Sequence, residues 1–178
     1  MSENKNDVLL SIKDLEVVYT AGGAIVHAVN GVSFEVKRGQ SLGLVGETGA
    51  GKTTIAKSIL GVLPDPPAKV LGGEVILDGQ DLLKTAEKDM RKIRGKKISM
   101  IFQDPMTALN PLMTVGDQIA EVVSLHENVN KKQAMDKAME MLEMVGIPAE
   151  RYAEYPHQFS GGMKQRVVIA IALACNPE

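Results

Sequence analysis

Two stretches near the start of the chain alternate apolar and polar positions. Val8–Tyr19 and Ala24–Val36 interleave Val, Ile, Tyr and Phe with polar residues, which is the period-two pattern of half-buried strands. Gly22-Gly23 between them reads as a turn, so the pair predicts a small antiparallel sheet. Gly72–Leu77 and the turn Asp78-Gly79 predict a return to that sheet. Ser41–Val45 (SLGLV) and Ile98–Phe102 (ISMIF) are short apolar runs without alternation, as expected of buried central strands. Lys52–Leu63 has helical spacing and is closed by Pro64, Pro66 and Pro67.

Beyond Gln103 the pattern turns helical. Asn130 with Gln133 three residues later resembles a capping box ahead of KKQAMDKAMEMLEMVG, and Gly146 and Pro148 end that helix. Met135, Met139, Leu142 and Val145 are spaced by four, three and three, so they are expected to lie near one packed face. Met163–Ala174 predicts a last helix. The organisation expected is one α/β domain over 1–178: a β-rich front and nucleotide-type core over 1–104, a helical segment over 105–158, and a turn plus helix over 159–178.

Composition narrows the setting without giving a function. The 178 residues are 44% hydrophobic and 24% charged, with a formal net charge of −2. That balance fits a globular chain and gives no electrostatic reason to expect nucleic acid as a partner. No apolar run approaches the ~20 residues that span a bilayer. The polar start MSENKNDVLL lacks the layout of a signal peptide. Cys175 is the single cysteine, so no internal disulfide can form and a reducing cytoplasm is the expected compartment.

The first candidate chemistry is GETGAGKT, which fits G-x-x-x-x-G-K-[ST] with Gly46, Gly51, Lys52 and Thr53 in the fixed positions. Glu47, Thr48, Gly49 and Ala50 complete the loop, and Thr54 follows on the helix. Glycines let backbone N–H groups converge on phosphates, and the helix N-terminus adds partial positive charge. Lys52 can neutralise β- and γ-phosphates, and the Thr53 hydroxyl can bind Mg2+. The pattern predicts binding of a nucleoside triphosphate.

A second glycine turn, FSGGMKQR, lies near the end of the sequence. Ser160 suits an N-cap, while Gly161 and Gly162 leave N–H groups uncovered, so this is another helix terminus suited to an anion. Together the two loops resemble the ATP-binding-cassette (ABC) family, whose signature is usually Leu-Ser-Gly-Gly-Gln. This chain departs from that pattern at Phe159 and Met163. Tyr19 sits where the family stacks an aromatic ring on adenine. Gln103, in IFQDP, matches the family glutamine that senses Mg2+ and the γ-phosphate and contacts membrane subunits. AVNGVSFEVKRGQSLGLVGETGAGKTT, LPDPPAKVLGGEVILDGQDLL, MRKIRGKKISMIFQDPMTALNP and YPHQFSGGMKQR resemble the ATP-binding subunits of dipeptide, oligopeptide and nickel importers. A Phe and a Met around Ser-Gly-Gly are usual in that group.

The resemblance implies a P-loop NTPase fold with a RecA-like core, an antiparallel β subdomain and a helical subdomain. It implies ATP and Mg2+ as cofactors, with Thr53 and Gln103 at the metal. It also implies a second ATPase subunit arranged head to tail, so that Ser160, Gly161 and Gly162 face the partner's ATP. Transmembrane permease subunits would meet Gln103 and the helical segment, at the cytoplasmic face of the membrane. Other solutes, such as nickel or glutathione, and ABC proteins acting in DNA repair or on ribosomes are the alternatives the motifs leave open.

The family places its Mg2+-holding Asp, catalytic Glu and switch His after the signature helix. Glu178 precedes the corresponding strand, and His27, His126 and His157 precede it too, so none takes those roles. The expectation is a sheet lacking C-terminal core strands, with the run VVIAIALA disposed to self-association or strand exchange. Phosphate release by the purified 178-residue chain is accordingly expected at background, with weak ATP binding; family-like turnover in a malachite-green assay would refute this.

Overall fold

The computed structural model describes residues 7–178. They form two compact units, residues 1–90 and residues 91–178, with the first described from Asp7 onward.

The first unit is built on a four-stranded antiparallel sheet in the order β2-β1-β3-β4. Strands β1 (Val8–Ala21) and β2 (Ala24–Lys37) form the expected hairpin, with Ala21 opposite Ala24. Gly22 and Gly23 have φ of 57° and 83°. Two successive positive values match the twist of paired strands, which is why two glycines close this turn. Strand β3 (Ala68–Leu77) pairs with the other edge of β1, and Asp78-Gly79 leads into the short β4 (Gln80–Asp81).

β1 is irregular where its register shifts between Lys13 and Glu16. There Asp14 adopts φ 45°, its N–H donates to Ser33 Oγ at 2.8 Å, and that hydroxyl donates to Asp14 Oδ1 at 3.2 Å. Across the sheet a Cβ on Gly73 would lie 2.6 Å from Asp14 O and 2.6 Å from Leu15 Cα, so only glycine lets the strands pass. Ile12, Leu15, Val17 and Val75 are sealed from solvent at the centre of this unit.

Helix α1 (Lys52–Leu60) ends earlier than Leu63 because Gly61 turns left-handed, φ 61°, and its N–H caps Lys57 and Ser58 carbonyls. Helix α2 (Glu87–Ile93) begins in the first unit and ends in the second.

In the second unit α3 (Pro105–Ala108), α4 (Val115–His126), α5 (Lys131–Met144) and α6 (Gly161–Leu173) surround an apolar centre. Single 3-10 turns cover Ala149–Ala153 and Pro156–Gln158. The Asn130–Gln133 capping box is formed in both directions: Gln133 N–H donates to Asn130 Oδ1 at 3.0 Å and Asn130 N–H to Gln133 Oε1 at 2.9 Å.

Two expectations need correction. Ser41–Val45 and Ile98–Phe102 are not strands; the ladder there is a single parallel bridge between Arg94 and Ile98. A parallel strand exists only through its neighbours' ladders, and neither run has such neighbours among the described residues. Their apolar side chains are correspondingly open, with Val45 97% and Ile101 48% exposed. On α5 the buried face is Ala134, Ala138, Met141 and Leu142, with Val145 packed against the same centre; Leu142 and Val145 lie as expected, while Met135 is 41% exposed. The alanines lie at i, i+4 and present little bulk, which lets neighbouring helices approach there rather than along Met135.

The N-terminus of α4 shows the same economy. A Cβ on Gly116 would overlap the ring of Tyr152, whose hydroxyl donates to Asp117 Oδ1 at 2.8 Å. Gly116→Ala should therefore destabilise the second unit by about 1–3 kcal/mol in urea unfolding, although alanine is the better helix former. Burial, then the hydrogen bond and charge of Asp117, push the Tyr152 phenol up to about 12. The unfolded phenol ionises near pH ~10, so this contribution is complete below that pH and is lost as pH rises through the folded value. Stability should consequently fall more steeply above pH ~10 in the parent than in Tyr152→Phe.

Candidate functional site

The glycine loop lies between the front sheet and α1. Gly49 and Gly51 have φ of 86° and 82°, a region that glycine enters without strain. Gly51 is buried, and a Cβ there would collide with the carbonyl oxygen of Ala28 on β2. The loop is thus pressed against the sheet at one glycine, and the first turn of α1 starts from that point.

Lys52 turns back into the loop. Its Nζ donates to the carbonyl oxygens of Gly46 and Glu47, at 2.6 Å each, which fixes the ammonium inside the ring of backbone. A Cβ on Gly46 would stand 4.0 Å from that Nζ and 3.3 Å from Ala50 Cβ, so the glycine keeps the wall beside the ammonium thin. Ala50 N–H donates to Glu47 O at 3.2 Å, closing the turn across Thr48 and Gly49.

Gly51 is the N-cap of α1 and supplies no side-chain hydrogen bond; no acidic residue occupies the first turn. Neither a cap side chain nor a first-turn acid therefore answers the positive end of this helix. Thr53 is exposed at its second position and Thr54 is half-buried behind it. Tyr19, in the same unit, is half-buried on β1 opposite Val26 and Ala68.

In the second unit Ser160 is the N-cap of α6, as its sequence position implies, and its hydroxyl accepts from Met163 N–H at 3.4 Å. Gly161 and Gly162 are exposed, nothing beyond their chain neighbours and the backbone of α6 lies within 4 Å of where their Cβ atoms would be, and the first turn of α6 carries no acid. Gln103 is exposed in a bend ahead of α3. No group of three or more His, Cys, Asp or Glu side chains is placed to hold a metal among the described residues.

The family described as ABC transporter matches residues 29–178. The chain belongs to the ABC transporter family. It is 51% identical, over 99% of its length, to a protein named probable peptide ABC transporter ATP-binding protein y4tR in Sinorhizobium fredii, of which it covers 53%. It is also 51% identical, over 96% of its length, to the dipeptide transport ATP-binding protein DppD of Bacillus subtilis, covering 51% of that protein. The chain thus spans about half the length of these curated relatives.

Among solved structures it resembles the ATP-binding cassette MJ0796, captured as a dimer in a post-hydrolysis state bound to ADP and Pi. The TM-score is 0.83 at 29% identity, over 94% of this chain and 70% of that one. The α/β class with an antiparallel sheet and helices expected from the sequence is thus the class of an ABC cassette. No helix among the described residues is long and apolar enough to cross a membrane.

Sequence reasoning did not anticipate the role of Arg151, whose guanidinium lies 4.3 Å from the Phe159 ring centroid beside the Ser160 turn. An arginine eight residues upstream in a 3-10 turn carries no periodicity that would announce the contact. Gly51→Ala should abolish the loop's approach to β2: the expected result is a lower melting temperature of the first unit together with loss of nucleotide binding, read by differential scanning fluorimetry with and without ATP.

Proposed function

We propose that these residues belong to the ATPase subunit of an ABC importer, and that they bind ATP to drive uptake of di- or oligopeptides. The observation that carries this reading is the Lys52 ammonium, lodged 2.6 Å from two loop carbonyls at the start of a helix whose N-terminus has neither cap side chain nor acid. Convergent N–H groups and one fixed cation are what a polyphosphate needs.

In this reading the phosphates lie along the loop from Gly46 to Thr54, with Lys52 countering the β- and γ-phosphate charge. Mg2+, when bound, supplies further neutralisation of the phosphate oxygens. The donor set fits it: Mg2+ in such sites is held largely by phosphate and water oxygens, so the single Thr53 hydroxyl suffices where no carboxylate cluster is built. Tyr19 offers an aromatic face to adenine, and Gln103 acts at the metal and the γ-phosphate.

Ser160, Gly161 and Gly162 serve the nucleotide held by a second subunit. Their N–H groups stand open at the start of α6 and no side chain shields the two glycines. The residues 105–158 together with Gln103 would meet the permease subunits on the inner face of the cell membrane. The peptide cargo rests on the names of the two curated relatives above.

Isothermal titration of the chain with ATP and Mg2+ tests the site. Lys52→Ala is expected to weaken binding by about ten-fold or more, a loss of ~1.4 kcal/mol or greater. Equal affinity for parent and variant would overturn the reading. In cells, the same substitution is expected to stop uptake of a labelled dipeptide.

A further inference from the structure

The chain departs from the usual signature pattern at two positions, Phe159 in place of Leu and Met163 in place of Gln. Both side chains touch the same arginine. Arg151 lies in the 3-10 turn Ala149–Ala153, eight residues before Phe159. Its Cζ stands over the Phe159 ring at 4.3 Å from the centroid, and Nη1 donates to Met163 Sδ at 3.4 Å. Nη2 donates to the carbonyl oxygen of Gln158 at 3.3 Å. Nε and Nη2 donate to Glu154 Oε2 at 2.8 and 2.6 Å, which fixes the plane of the fork.

One rigid guanidinium therefore holds the residues on both sides of Ser160-Gly161-Gly162. Gln158 and Phe159 precede the turn; Met163 follows it and is the residue whose N–H is capped by Ser160. Outside their chain neighbours and the backbone of α6, nothing lies within 4 Å of either glycine's Cβ position, so no distant side chain packs on them. Their N–H directions follow the first turn of α6, whose placement depends on what flanks it. On the entry side Phe159 is anchored in the apolar centre, with only 5% exposure. Arg151 then closes its outer ring face, and the hydrogen bond to Gln158 O ties down the last peptide before it.

The chemistry of the two departures fits this partner. A phenyl ring offers a π face to a cation, and a thioether offers a weak acceptor that adapts to it; a leucine offers neither. Lysine could keep the ion pair with Glu154 but not the planar fork or the stacking.

We propose that Arg151 is a positioning residue for the signature turn: it sets the orientation of the Ser160, Gly161 and Gly162 N–H groups through Phe159, Gln158 and Met163. The consequence for phosphate contact rests on the head-to-tail reading above; the ordering of the turn does not.

Amide hydrogen exchange on the parent, Arg151→Ala, Arg151→Lys and Phe159→Leu measures the ordering directly. Exchange at Gly161, Gly162 and Met163 is expected to speed up roughly ten-fold in Arg151→Ala and Phe159→Leu, with α5 amides unchanged. Arg151→Lys is expected not to rescue it, which separates a fork-and-stack role from a simple ion pair. ATP-dependent dimerisation, followed by sedimentation, should weaken about ten-fold in Arg151→Ala while ATP affinity of the Lys52 loop stays within about two-fold. Exchange at the turn within about two-fold of the parent in Arg151→Ala, or full rescue by lysine, overturns the proposal. A parent that binds ATP but does not dimerise would instead count against the head-to-tail reading, and the exchange data would still decide on Arg151.

Discussion

A helix begins with N–H groups that have no partner in their own helix, and both candidate phosphate sites depend on keeping those groups open. The chain treats its helix starts in two ways. α4 receives the Thr114 hydroxyl and Asp117 in its first turn, and α2 carries Glu87 and Asp89 there, so their positive ends are answered locally. α1 and α6 have no acid in the first turn, and neither do α3 and α5. At α1 the cap is a left-handed glycine without a side chain, wedged against Ala28; at α6 it is Ser160, with two unshielded glycines behind it. Leaving the start of α1 without a cap side chain forgoes about 1 kcal/mol, so this exception carries information. It marks where an external anion can replace the missing internal partner.

The parts of this fold that could be read from the sequence are those fixed by neighbours a few residues apart. Gly22-Gly23 closes its hairpin, Asn130 and Gln133 cap each other, and Gly51-Lys52 opens α1, because each depends on backbone conformations within one turn. The misread elements depend on partners far along the chain. The apolar pattern of SLGLV and ISMIF describes what those runs could bury, but a strand also needs a ladder on each side, and the pattern is silent about that. The α5 face was only half legible, for a related reason: Leu142 and Val145 pack inward as expected and Met135 does not. Hydrophobic spacing selected Met135 and passed over the alanines, whereas packing put Ala134 and Ala138 inside beside Met141, since small side chains decide how closely helices can meet.

The same distinction applies to the candidate site. GETGAGKT was legible because one contiguous stretch must supply the N–H groups, the cation and the hydroxyl. The support for the second turn was not. Arg151 reaches Met163 across 12 residues, and Tyr152 reaches Asp117 across 35, through side chains whose sequence positions have no common period. Contiguity makes a motif readable; support from elsewhere in the fold does not.

That difference bears on how the two departures from Leu-Ser-Gly-Gly-Gln are to be understood. Taken as letters, Phe159 and Met163 look like erosion of a motif whose centre survives. Taken with Arg151, they are the two faces of one contact. A leucine at 159 could fill the apolar centre equally well, yet it would leave the guanidinium without a ring to cover. The Arg151–Glu154 hydrogen bond, which also holds the Glu154 carboxyl below its usual range, fixes the fork but spans only the entry to the turn. Fixing the exit as well requires an acceptor on Met163, and the thioether supplies one. The signature turn here is therefore better described by the residues that aim its N–H groups than by the letters on either side of the glycines.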